Sequence, residues 1–481
     1  MIPLIGFSPD LDPMTPGVIT DCTMVVPYES GLRGAPAAVS PGVAALEAAC
    51  IGSAVTNDLA DARRLFAGTT AKIFELSGTS WTNRSRAGSP AYAAGSDDRW
   101  VFVAYGNAVL AASPSCKIQR STGAGVSFSD ISSAPQAKLL VSVLGFAIAF
   151  NLSTNADAWA CSALNDETSW TPSVATQATT GRLIGGAGPL TAARRFGDDV
   201  VAYKARSVFV GRYAGSPVVW DFKQLSNDVG CVGQEAIADT MIGHIFVGED
   251  NVYLYDGTTP RPLENTLALR NWLFRDMNPL YRYKTVVSWD KASHTVTIHY
   301  CSASSSVIDS AVVYHVLTKQ WGRANRSIQA AVLYTAAGIT FDVGSTAITT
   351  YDSGPSISYD SPFWISGSSI SAVFDTTNTV QTLSGVTASS SFTTGDMGDE
   401  SGYSFCDNVR VRYAQVPATT SATGYTRDEE GGTLTTGQTA AKLDGRYNMR
   451  QRGRFHRFML TQTGDFKAEA LRADLKAAGV R

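Results

Sequence analysis

The chain has 481 residues, 44% of them apolar and 10% aromatic, which is enough to bury several cores and excludes a disordered chain. Only 17% are charged, and Ser, Thr, Gly and Ala are abundant, a texture that suits strand faces packed against other copies. The formal charge of −3 hides an asymmetry: Arg446 to Arg481 hold nine basic and three acidic residues, so the basic tail of an acidic body meets either other subunits or nucleic acid.

The opening MIPLIGFSPDLDP has neither the basic nor the apolar region of a secretory signal, and its prolines predict an extended arm. Asp10 and Asp12 therefore read as part of that arm and not as a metal loop. Pro41 to Cys50 predicts a short helix with Pro at its first position. Five segments then share a layout of strand, short turn, strand, beginning at Trp100, Leu139, Val200, His244 and Thr285. Gly106-Asn107, Gly145, Asp250-Asn251 and Asp256-Gly257 supply the hairpin turns.

A second marker keeps time with the first. An aromatic closes a strand before a polar connector at Trp81, Phe128, Trp170, Trp220 and Trp321, with steps of 47, 42, 50 and 101 residues, the last being two units. Four short strands in a unit of about 45 residues predict a β-propeller blade, because one small sheet has two apolar faces and must stack between neighbours. Thr56 to Asp352 has room for six blades. A pair of β-sandwiches would also place strands this densely, but two markers in one period favour the propeller.

Glu264 to Met277 predicts a helix in the linker after the Asp256-Gly257 hairpin. Beyond Asp352 the texture turns to Ser, Thr and Gly, followed by the alternating strands NVRVRYAQV and GRFHRFMLTQTG and a short amphipathic end. The expected organisation is all-β: residues 1–55 as an N-terminal arm, 56–352 as the propeller, and 353–481 as a second β-rich platform to which the arm contributes.

The chemistry is marked by what is missing. There is no G-x-S-x-G, H-E-x-x-H, Walker loop, strand-borne G-x-G-x-x-G or EF-hand loop. The five histidines (244, 294, 299, 315 and 456) are dispersed, and His294 and His299 sit on opposite faces of one predicted strand. The acid pairs Asp198-Asp199 and Glu249-Asp250 lie at turns and read as turn formers. The Trp residues read as packing, not as a sugar platform. The expectation is no catalytic residue, no metal and no cofactor. Seven cysteines without a CxxC predict free, mostly buried thiols of a reducing compartment. The longest apolar stretch, Leu139 to Leu152, is broken by Ser142 and Gly145, so no membrane insertion is expected.

Phe196 to Pro262 resembles the central region of the tail nozzle proteins of short-tailed bacteriophages, also called tail tubular protein B or tail hub. VFVGRYAGSPVVWDF from Val208, the Val229-Gly-Cys step and FVGEDNVYLYDG from Phe246 carry the likeness. PLIGFSPDLDPMTPGVITDC looks like that family's N-terminal arm. TGDMGDESGYSFCDNVRVRY and GRYNMRQRGRFHRFML look like its C-terminal strands.

The resemblance implies a structural virion protein: a homohexameric ring below the portal adaptor, with propellers outward and a platform of terminal segments around a gated channel for double-stranded DNA. Tail fibres or spikes would dock outside. The protein would be assembled in the host bacterial cytoplasm and end in the virion tail. Within that frame Arg446, Arg450, Arg452, Arg454 and Arg457 are candidates for an interface or the channel. Arg427, Asp428, Glu429 and Glu430 are candidates for a gate or docking loop. Two other classes stay open: a propeller that binds or cleaves glycans, and a sequence-independent DNA-binding protein using the arginine patch.

Overall fold

The structure, a computed structural model, describes residues 1–335 and 369–478. Seven four-stranded antiparallel units succeed one another among these residues. Their first strands are Ser53–Asn57, Val101–Tyr105, Ala137–Val143, Leu190–Phe196, Ile237–Thr240, Val286–Asp290 and Ala330–Thr335. These strands face a common axis, and the later strands of each unit run outward in chain order. The fold is a β-propeller, here numbered as blades 1 to 7.

The count is seven where six were expected. The period of about 45 residues was legible, but the last blade draws its strands from two places. Ala330–Thr335, Ser369–Phe374 and Val380–Gly385 make three of them, and Ala37–Val39 supplies the outermost. A blade completed from both sides of the ring closes it, leaving no pair of blades joined by packing alone.

The uneven spacing of the hairpins has a simple cause. The Trp100, Leu139 and Thr285 hairpins are first and second strands of their blades, whereas those at Val200 and His244 are second and third strands. The turns behave as their residues predict: Gly106, Gly145 and Gly257 all have positive φ.

Burial is distributed between blades and not gathered in one core. Separate apolar clusters fill the seams between blades 1 and 2, 2 and 3, and 3 and 4. Others fill the seams between blades 6 and 7, and between 7 and 1. Phe146 of blade 3 meets Trp220 of blade 4 edge-to-face at 5.7 Å, and Trp159 tilts onto Phe222 at 4.8 Å. Trp170, Trp220 and Trp321 are all buried, so these strand-end aromatics are packing residues.

Pro41–Cys50 is not helical. Its Ala44 N–H donates to Thr79 O and its Leu46 N–H to Asn378 O, which pins it as a strap across blades 1 and 7. Val43, Leu46 and Cys50 are buried in that seam, and the strap's packing overrides its local helical preference. The linker after blade 5 does coil, into Thr266–Ala268 and Arg270–Asp276. Asp10 of the N-terminal arm accepts hydrogen bonds from the N–H groups of Asn271 (2.6 Å) and Trp272 (3.1 Å) in the first turn of Arg270–Asp276.

The platform is built from both terminal segments. The last strand of blade 6, Gln320–Arg323, bridges to Val25–Tyr28, and the sheet continues through Gly31–Gly34, Lys467–Ala477, Ser404–Gln415 and Tyr447–Gly453. A second sheet orders Ile19–Thr23, Ser390–Thr394, Phe455–Thr463, Thr419–Arg427 and Thr435–Ala441. The amphipathic end is thus a strand and lies inside a sheet. Cys22, Phe392, Cys406, Val409, Tyr447, Met449, Phe458 and Leu460 fill the space between the sheets and join the cluster under blades 4 to 6. Phe455–Thr463 alternates buried and part-buried residues, the signature of a half-buried strand.

Candidate functional site

The charged residues singled out from sequence divide into two groups. Arg446, Arg450 and Arg452 are exposed, and Arg454 is partly so. Arg452 and Arg454 lie over one ring, that of Tyr403, with guanidinium carbons 4.7 and 5.3 Å from its centroid. Arg457 turns the other way, into the platform. Its Nε and Nη2 donate to the two carboxylate oxygens of Asp396 at 2.9 and 3.0 Å, and Arg427 pairs with the same carboxylate.

The Asp396 side chain has no exposed surface, so both guanidinium groups are internal counter-charges. Arg427, a candidate for the gate or docking loop, and Arg457, a candidate for the interface or channel, are thus held by charge-assisted hydrogen bonds to Asp396 inside the platform. Asp428, Glu429 and Glu430 remain exposed, at the tip of the hairpin between Thr419–Arg427 and Thr435–Ala441. Asp396 carried no signal in the sequence beyond lying in the TGDMGDESGYSFCDNVRVRY segment.

The propeller axis holds two recesses of about 370 and 350 Å³, lined by the first strands. Gln234, 4% exposed, reaches from the entry of blade 5 and donates to Arg99 O (3.4 Å) and Lys138 O (3.2 Å), so it spans the axis toward blades 2 and 3. Arg194 donates to Gln234 O at 3.1 Å, and Glu235 O accepts from Val287 N–H at 2.7 Å. The Arg99 and Glu235 side chains stand 3.7 Å apart. Recesses of this volume admit a small molecule and not a nucleic-acid duplex.

The acid pairs at turns are engaged in ion pairs: Asp199 with Arg212, Glu249 with Arg206 and Asp250 with Arg270. All seven cysteines are buried and free. Burial pushes the Cys50, Cys231 and Cys406 thiols up to about 12 and those of Cys116, Cys161 and Cys301 to about 11, the opposite of what a nucleophile needs. Among the described residues no group of three or more His, Cys, Asp or Glu is arranged to hold a metal ion. No described helix is long and apolar enough to cross a membrane.

No family model and no curated protein matches the chain. Among solved structures it is similar to YCF48 bound to D1 peptide, at 11% identity and TM-score 0.39, over 74% of this chain and 97% of that one. It is also similar to the computationally designed Ika8 protein, at 12% identity and TM-score 0.37, over 73% of this chain and 99% of that one. The propeller assignment rests on the strand pairing itself.

Proposed function

We propose that this chain is the subunit of a homohexameric tail nozzle of a short-tailed bacteriophage, a structural virion protein and not an enzyme. The observation that carries the reading is the platform: strands from both terminal segments form one two-sheet body, continuous with blade 6 of a propeller. That is the division of labour the resemblance around Phe196 to Pro262 implies.

In the ring, six platforms surround the channel below the portal adaptor, and the propellers face outward where tail fibres or spikes dock. Gln234 across the propeller axis fits a DNA path that runs along the platform and not through the propeller. An acidic body of low charge density fits a conduit that must not grip phosphates. Arg446, Arg450 and Arg452 then serve contacts between subunits, and the Asp428–Glu430 hairpin tip serves as gate or docking loop.

The experiment is negative-stain imaging of the purified protein mixed with its adaptor ring, alongside mass spectrometry of purified virions. Six-fold rings and a virion-borne chain are expected. A protein that stays monomeric with the adaptor and is absent from virions would reject the reading.

A further inference from the structure

Where blade 6, blade 7 and the platform hairpin Val25–Gly34 meet, a cavity of about 60 Å³ is lined by Arg33, Arg326, His299 and the hydroxyl residues Ser288, Thr297 and Ser371. It adjoins an outer recess of about 230 Å³, with Arg33, Asp290 and Ser293 common to both walls. His299 is 1% exposed, and neither of its ring nitrogens has a hydrogen-bond partner. Nε of Arg33 and Nη1 of Arg326 are likewise closed to solvent and unpartnered. Arg326 spends its Nη2 on Pro36 O, and no ion pair joins either arginine to a described acid.

The carboxylates of Asp290, on the wall of the same cavity, and Asp465 act on the Arg33 charge, while Asp290 accepts from Ala292 N–H and Asp465 from Thr387 N–H, both at 2.9 Å. Arg33 and Arg326, half-buried with a solvent-closed, unpartnered N–H each and no ion pair, are a costly arrangement, eased at Arg33 alone by those two carboxylates. The cost appears in their protonation: burial lowers the Arg326 guanidinium to about 10, and burial with the Arg326 charge lowers His299 to about 3. A space of 60 Å³ exceeds what one water needs several times over.

We infer that this cavity is a binding site for one small tetrahedral oxyanion of the phosphate class. The forked donors of Arg33 and Arg326 match such an anion, and His299 and the hydroxyls supply neutral donors around it. Because its walls come from two blades and the platform, an occupant would tie the three bodies together. The inference stands whether or not the chain forms a nozzle.

The test is calorimetric titration of the full chain with inorganic phosphate at constant ionic strength in a chloride background. Saturable binding of one phosphate per chain is expected, with at least a tenfold loss of affinity in Arg326→Met and a several-fold loss in His299→Gln. Arg450→Gln, on the exposed arginine strand, should bind as the unaltered chain does. Absence of saturable binding overturns the site. So does retained affinity in either cavity variant, or an equal loss in Arg450→Gln. Should Arg326→Met fail to fold, His299→Gln decides the matter alone.

Discussion

Thr382 lies opposite Val39 in the outermost strand pair of blade 7, its hydroxyl donating to the Val39 carbonyl at 3.0 Å across 343 positions of chain. This pair is the clasp of the propeller. Next to it Gly385 has no room for a side chain, since an added Cβ would sit 2.4 Å from Val39 Cγ2. Gly385→Val should therefore push Ala37–Val39 off the blade. We expect a loss of roughly 1–3 kcal/mol in urea unfolding, with faster proteolysis in the strap that follows Val39. An unchanged midpoint and an unchanged cleavage pattern would mean that the clasp is dispensable.

Arg427 and Arg457 both close on the Asp396 carboxylate. Asp396→Asn keeps the shape and removes the charge, leaving two internal guanidinium groups uncompensated. Breaking a buried pair of this kind costs about 3–5 kcal/mol. Denaturant midpoints check the value, and a loss below about 1 kcal/mol would show that water replaces the carboxylate.

Acid stability follows from His299. Its imidazole is held at about 3 in the folded protein against 6.5 unfolded, so below pH 6.5 the unfolded chain takes up a proton that the folded chain refuses. The contribution is present above pH 6.5 and is lost as pH falls toward 3, on the order of 5 kcal/mol in all. Burial lowers His315 and His456 in the same direction. His299→Gln should flatten, without abolishing, the decline in stability between pH 6.5 and 4 in phosphate-free buffer. A decline as steep as that of the unaltered chain would show that other groups govern it.

Arg450 and Arg452 are exposed on the platform, and in the proposed ring they serve a contact between subunits. Reversing both to Glu should leave the circular dichroism spectrum and melting temperature within error, since exposed charges contribute little to stability. Ring formation on the adaptor should fall at least tenfold by light scattering. Normal rings from the double variant would assign these arginines elsewhere.

Much of the propeller was legible because blades repeat. Each hairpin carries its own turn chemistry, and aromatics at Trp81, Trp170, Trp220 and Trp321 recur once per blade or once per two. The seventh blade was hidden because Ala37–Val39 and Val380–Gly385 are neighbours only after the ring closes. Pro41–Cys50 misled because its local preference is helical while its burial is decided by Thr79 and Asn378, far away in the chain. The charged sites were the least legible. Asp396, Arg427 and Arg457 come from separate segments of the chain, as do Arg33, His299 and Arg326, and no local spacing announces such meetings.

Ile19–Thr23 pairs with Ser390–Thr394, and Thr20 reaches Thr393 across 373 positions. A ribosome adding ~5–20 residues per second needs roughly 20–75 s to travel that far. For most of that interval Ile19–Thr23 is out of the exit tunnel with exposed edges and without its sheet partner, while seven blades accumulate behind it. Nascent chains on one messenger could pair those edges with one another, so the hazard in making this protein falls at its beginning and is resolved only as the last strands emerge.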